Sequence, residues 1–152
     1  MWSQEVGEFL LFRGLTPQQR ADLAPLLSHL TFQDGETIFA QDDPAETVYV
    51  LEYGQVELRF QPGDGKLLVI ATINQGNVFG WSAALGRSHY TSSAVCVVKS
   101  RALAIDGEKL RALIRAQPEF SILLGRMART VAGRRADAQT YLINEEITRS
   151  AT

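Results

Sequence analysis

The spacing of hydrophobic positions changes twice along this chain, and the changes divide it into three parts. Over residues 6–30 the period is helical. Phe9, Leu10 and Phe12 form a short amphipathic patch closed by Gly14, and Leu23, Leu26, Leu27 and Leu30 recur at steps of three, one and three. Thr16-Pro17-Gln18-Gln19 predicts a helix start. The threonine side chain satisfies a first-turn N–H, and proline at the first helical position gives up no hydrogen bond.

Over residues 31–105 the period shortens to that of strands. Thr47 to Leu51 is rich in β-branched and aromatic residues, and Val56 to Phe60 alternates apolar with polar. Leu67 to Ile70 is a continuous apolar run, and Ala94 to Val98 and Ala102 to Ile105 read as two more strands. Turn signals separate these runs at Asp34-Gly35, Asp42-Asp43-Pro44, Tyr53-Gly54, Pro62-Gly63-Asp64-Gly65 and Gln75-Gly76-Asn77. The Pro-Gly-Asp-Gly run between two strands predicts a hairpin. Many short, closely spaced strands predict a sandwich or barrel rather than alternating β and α units.

Residues 106–148 are helical again. Asp106 suits an N-cap, and Leu110, Leu113 and Ile114 form an apolar stripe. Pro118 ends that helix and opens another, which the pattern carries to residue 147, about 45 Å at 1.5 Å per residue. Phe120, Leu124, Met127, Val131, Ala138 and Tyr141 form a stripe broken only at Arg134. The stripe either packs on its own β-part or forms a two-helix seam. A helix this long overshoots a small domain, so a homodimer through it is expected. The predicted fold is α+β, mainly β: one domain over 1–152, with N-terminal helices (1–30), a jelly-roll-type β-roll (31–105) and C-terminal helices (106–148).

Composition narrows the function. The chain has 152 residues, 15 Lys and Arg against 17 Asp and Glu, and a net charge of -2. That is no charge balance for a general nucleic-acid binder. A single cysteine, Cys96, excludes an internal disulfide and suits a reducing compartment; it reads as a buried strand residue. No apolar run approaches the roughly 20 residues of a membrane span, and the N-terminus lacks a signal-peptide pattern, so a cytoplasmic protein is expected. His29 and His89 fall in unrelated contexts, which argues against a cupin-like metal centre. No nucleophile triad, phosphate loop or paired carboxylates appear, so no enzyme, catalytic residue or metal is expected. Asp42-Asp43 reads as a solvated turn. Arg126, Arg129, Arg134 and Arg135 read as the solvated side of the last helix.

The order of elements and four motifs resemble the cyclic-nucleotide-binding domain family. Asp34-Gly35-Glu36-Thr37-Ile38-Phe39 is similar to its early strand. Asp42 to Leu51, followed by Glu52-Tyr53-Gly54-Gln55-Val56, resembles its glycine-punctuated core. Gly76-Asn77-Val78-Phe79-Gly80 resembles the approach to its phosphate-binding cassette, and the likeness spans roughly residues 11–132. The resemblance implies a double-stranded β-helix and a regulatory, ligand-sensing role. In the family a glutamate after the Phe-Gly pair accepts from the ribose hydroxyl, and an arginine further on grips the cyclic phosphate beside backbone N–H groups.

Here Trp81 stands in the glutamate slot, and the arginine slot falls on His89 or Tyr90, depending on a one-residue register choice. Hydrogen bonds to charged groups contribute about 1.5–3 kcal/mol each. The implied ligand is therefore a cyclic nucleotide, cAMP or cGMP, bound weakly, or another small anion, or there is none and the domain acts through protein contacts. The ligand-facing set is Phe79, Gly80, Trp81, Ser82, Ala83, Arg87, Ser88, His89, Tyr90 and Thr91. Trp81 is either a stacking platform or a plug. Arg87 and His89 are the nearby cations that could replace the arginine, and Ser82, Thr91 and Ser92 could donate hydrogen bonds. Relatives that regulate transcription carry a helix-turn-helix after the long helix. This chain stops at Thr152, so no DNA binding is expected from it.

Overall fold

The computed structural model describes residues 2–132. A short helix α1 (Gln4–Glu8) starts on Ser3, whose Oγ accepts from the Val6 N–H. Helix α2 (Pro17–Leu23) begins as predicted: Thr16 Oγ1 accepts from the Gln19 N–H at 3.1 Å, and Gln19 returns the bond from its own side chain to the Thr16 N–H at 2.9 Å. A 3₁₀ turn (Ala24–Leu26) leads directly into strand β1 (Leu27–Phe32).

The helical reading of residues 27–30 is thus corrected. The leucine spacing there fits a helix, but β1 pairs antiparallel with the strand Ser100–Asp106 from Leu27↔Ile105 to Phe32↔Ser100. That ladder pairs the strand's backbone along its inner edge, and Leu27 faces the core while Leu30 stays 40% exposed. Local spacing alone carries no information about this partner, which lies more than seventy residues away.

The remaining strands are β2 (Thr37–Phe39), β3 (Thr47–Tyr53), β4 (Val56–Phe60), β5 (Leu68–Ile73), β6 (Val78–Phe79), β7 (Ser93–Cys96) and β8 (Ser100–Asp106). They form two four-stranded antiparallel sheets, in the orders β1-β8-β3-β6 and β2-β7-β4-β5. The predicted hairpin joins β4 to β5, which pair from Val56↔Ile73 to Phe60↔Leu68. In β3 the side chains of Val48, Tyr49, Val50 and Leu51 are all buried, as are Ala102 to Ile105 in β8. Strands covered on both faces need no alternation, which explains their continuous apolar runs. Cys96 is buried in β7, as expected, and burial pushes its thiol pKa up.

Between β6 and β7 lies helix α3 (Trp81–Ala84), and after β8 comes α4 (Gly107–Ala116), capped by Asp106 accepting from the Lys109 N–H at 2.9 Å. Pro118 does not itself open the last helix. It starts a 3₁₀ turn (Pro118–Phe120), and helix α5 follows over 121–132 among the described residues. Phe120, Leu123 and Met127 are fully buried with Phe12, Leu23 and the strand residues in one core. Arg126 ties the same helix to the N-terminal segment by donating to the Leu11 and Arg13 carbonyls at 2.9 and 2.8 Å.

Phe120 and Met127 are therefore removed from the expected dimer seam: the chain's own core already covers them. Leu124 and Val131 remain half-buried, and Ala138 and Tyr141 lie outside the described residues, as do Arg134 and Arg135.

Candidate functional site

Residues 87–92 return alongside the turn at 42–45. Ala45 N–H donates to the Ser88 carbonyl, Tyr90 N–H to Asp43, and Asp42 N–H to Tyr90, with Pro44 bridged to His89. Side chains along extended chain point to alternate faces. His89 consequently faces solvent, where Ser88 Oγ sits 2.8 Å from its Nδ1, while Tyr90 turns inward and is 5% exposed. Of the two residues in the arginine slot, Tyr90 is the one on the inner face. The paired acids on the opposite side of this ladder form the turn expected of them: Asp43 accepts from the Ala40 N–H at 3.0 Å.

Tyr90 stacks on Phe39 with ring centroids 3.8 Å apart and planes 15° from parallel. Phe39 continues to Phe79 at 6.2 Å, and Phe79 to Tyr49 at 5.1 Å. The Tyr90 hydroxyl donates to the Thr47 carbonyl and accepts from the Thr47 N–H, which locks the ring in place. Burial pushes the Tyr90 pKa up to about 12, with the hydrogen bond from the Thr47 backbone pulling it down and the nearby Tyr49 pushing it up, both to a smaller extent. A folded pKa above the ordinary value near 10 means that the neutral phenol contributes stability in full below pH about 10 and loses it as pH rises towards 12. Alkaline titration followed by tyrosinate absorbance should therefore show one tyrosine ionising last, together with loss of structure. If every tyrosine ionises near pH 10 in the folded protein, Tyr90 is not held as described.

Gly80 starts α3 in the left-handed region at φ 78°, and a Cβ there would lie 3.0 Å from the Thr47 carbonyl oxygen and 3.3 Å from the Tyr49 ring. Only glycine fits both the backbone and the space. From α4, Arg111 donates to the Ala83 carbonyl and holds the end of α3. The chain then turns back so that the Arg87 N–H bonds to the Ser82 carbonyl at 3.0 Å.

Together these elements line a cavity of about 200 Å³ that is half open to solvent. Its lining is Gly80, Trp81, Ser82, Arg87, Tyr90, Thr91 and Ser92 from the cassette, with Phe39, Leu58, Ile70, Ala71 and Val131 from elsewhere. Of the expected ligand-facing set, Gly80, Trp81, Ser82, Arg87, Tyr90 and Thr91 are brought together. Phe79 and Ala83 are fully buried behind the wall, and Ser88 and His89 face away. Of the expected ligand-facing residues, Trp81 and Tyr90 thus bound the cavity, and Phe79 and His89 do not. Sequence reading missed Phe39, Leu58, Ile70 and Ala71 because inward positions of strands carry no signal beyond core membership. Val131 was read only as part of the helical stripe. The volume falls below the roughly 300–1,000 Å³ of pockets for drug-sized ligands. The half-buried Trp81 fills space where the resemblance expects a short carboxylate.

Among the described residues no group of three or more His, Cys, Asp or Glu side chains is arranged to hold a metal, and no helix is long and apolar enough to cross a membrane.

A family model described as the cyclic nucleotide-binding domain matches residues 29–117. A CRP-like cAMP-activated global transcriptional regulator of Mycobacterium tuberculosis is 29% identical over 125 residues, which cover 79% of this chain and 56% of the regulator. A Rhodopseudomonas palustris protein named as a potassium channel is 31% identical over 134 residues, 88% of this chain and 32% of that protein. Among solved structures, a Geobacter metallireducens protein named for cyclic nucleotide binding superposes with a TM-score of 0.76 at 29% identity, covering 88% of this chain and 98% of the other. The chain thus spans 56% of the M. tuberculosis regulator and 32% of the R. palustris protein.

Proposed function

The chain belongs to the cyclic nucleotide-binding domain family, and we propose that within it this domain is a non-enzymatic regulatory module whose cassette has lost its strong grip on cyclic nucleotides. One observation carries the reading. Trp81 and Tyr90 both line the cavity, and the resemblance aligns them with the family's carboxylate and arginine. Among the described residues the cavity lining contains one cation, the exposed Arg87, and no carboxylate. A ribose hydroxyl would meet an indole instead of an acceptor, and the phosphate would lose its buried, bidentate partner. Two such losses at about 1.5–3 kcal/mol each separate a micromolar ligand from one at about millimolar or weaker.

Calorimetric titration with cAMP and cGMP tests this. The expected result is no saturation below about millimolar nucleotide; a dissociation constant of about micromolar or tighter would refute it. The DNA-regulator and channel roles of the relatives belong to proteins longer than this chain, and the domain supplies the sensing half of such an arrangement. A second copy packed along the last helix belongs to the same reading, now narrowed to Leu124 and Val131 and the positions beyond residue 132. Light scattering that returns the mass of one chain would remove it.

A further inference from the structure

An open sheet edge offers its unpaired N–H and C=O groups to any second strand, and folded proteins guard such edges with short strands, bulges, proline or charge. Among the described residues the two sheets have four edge strands, β1, β6, β2 and β5. Three of them are guarded. β6 is two residues long, and β2 is three residues long with a register shift against β7. β5 bulges at Ile70, where its pairing passes from Ala71↔Leu58 to Val69↔Arg59.

β1 has none of these devices. Its six residues keep unbroken register from Leu27↔Ile105 to Phe32↔Ser100, and they include no proline, glycine, lysine, arginine or carboxylate. His29, the one titratable side chain among them, is engaged by Glu52 of the same sheet at 2.9 Å. Among the described residues β8 is the only strand beside β1, and residues 28–32 make no main-chain hydrogen bond outside that ladder. Side chains alternate across a strand, so Ser28, Leu30 and Phe32 share a face. Leu30, in the middle, is 40% exposed, whereas Ala102 and Leu51 in the same row of the sheet are fully buried. The face is covered along that row, so it is the open edge that leaves Leu30 uncovered.

We propose that β1 is a docking edge for a second copy of this chain, paired antiparallel with β1 of that copy about Leu30. The β1-β8-β3-β6 sheets of the two chains then become one sheet of eight strands. The strand's own chemistry selects this occupant. A twofold axis at Leu30 sets that leucine against its copy, Ser28 against Phe32 and His29 against Thr31. The apolar middle is covered and no like charges are opposed, whereas a charged peptide would find no counter-charge along the edge. None of the residues lining the cavity belongs to β1, and the contact is separate from the one along the last helix.

Disulfide trapping in the full-length chain tests both the pairing and its register. Opposed residues of antiparallel strands have Cα atoms about 4.5–5.5 Å apart, within reach of a disulfide, and positions offset by four residues are far beyond it. Leu30→Cys is expected to form a covalent dimer on mild oxidation. Ser28→Cys, exposed on the same face, is expected not to, and the parent with its single buried Cys96 is the blank. Sedimentation supplies a second readout without a covalent bond. Two lysines opposed across the axis in Leu30→Lys should weaken dimerisation at least about tenfold, in a chain that stays folded because position 30 is already exposed. Leu124→Glu, in the last helix, should leave trapping through Leu30→Cys intact. No trapping through Leu30→Cys in the folded protein, or equal trapping through Ser28→Cys, overturns the proposal. A dimer that survives Leu30→Lys unweakened but is lost in Leu124→Glu overturns it too and assigns the association to the helix.

Discussion

Gly54→Ala lowers the free energy of unfolding by about 2–5 kcal/mol, the sum of about 1–2 kcal/mol for a left-handed backbone and about 1–3 kcal/mol for overpacking. Gly54 sits at φ 100° in the turn where the chain leaves β3 in one sheet and enters β4 in the other. An added Cβ would lie 2.7 Å from the Ser100 Cα and collide with the Ser100 side chain. Ser100 cannot retreat. It is fully buried, its Oγ accepts from the Gln55 N–H at 3.1 Å and donates to the Val98 carbonyl at 2.8 Å, and its backbone opens β8 opposite Phe32. Both the strained φ and the clash therefore fall on backbone that two sheets hold in place. Urea unfolding with a constant slope measures the effect, and a loss under about 1 kcal/mol would mean that the corner gives way more easily than its pairing implies.

Trp81→Glu combined with Tyr90→Arg raises affinity for cAMP by about a hundred- to ten-thousand-fold, since each restored charge-assisted contact is worth about 1.5–3 kcal/mol. The same glutamate combined with His89→Arg gains only the glutamate's share, because His89 faces away from the cavity and carries its side chain towards Ser88. Tyr90→Arg gives up the stack on Phe39 and both bonds to Thr47, so the double variant should melt earlier than the parent. Trp81→Glu alone keeps those contacts and should still gain about tenfold. Equal affinities for the Tyr90→Arg and His89→Arg combinations would show that the cassette register is misplaced. No gain in any folded variant would show that the cavity is not the nucleotide position at all.

Much of this architecture was legible in the chain before any coordinates. Thr16, Pro17 and Gln19 announce α2, and Asp106 announces α4, because caps are made of neighbours in sequence. The Pro62-Gly63-Asp64-Gly65 turn announces its hairpin for the same reason. The misreadings share one cause. Leu27 and Leu30 keep helical spacing yet form a strand, because β8 offers a ladder that outweighs local preference. Pro118 marks a boundary correctly, but whether the following stripe faces a second chain or its own core is a question of what lies opposite. The answer for Phe120 and Met127 is the chain's own core.

The hydrophobic periods with which the reading began, and the residue types within the cassette, come from the sequence alone. That is enough to determine a β-roll between helices, its turns and caps, and the tryptophan that follows the Phe79-Gly80 pair. Tertiary structure alone decided that Tyr90 and not His89 faces the cavity, that Phe39, Leu58, Ile70, Ala71 and Val131 complete its wall, and that part of the last helix is spent on the core. Caps and turns are settled by atoms a few residues apart, whereas the direction in which a side chain points into a cavity is settled by the strand paired beside it, and that partner is chosen only when the whole chain buries its apolar surface.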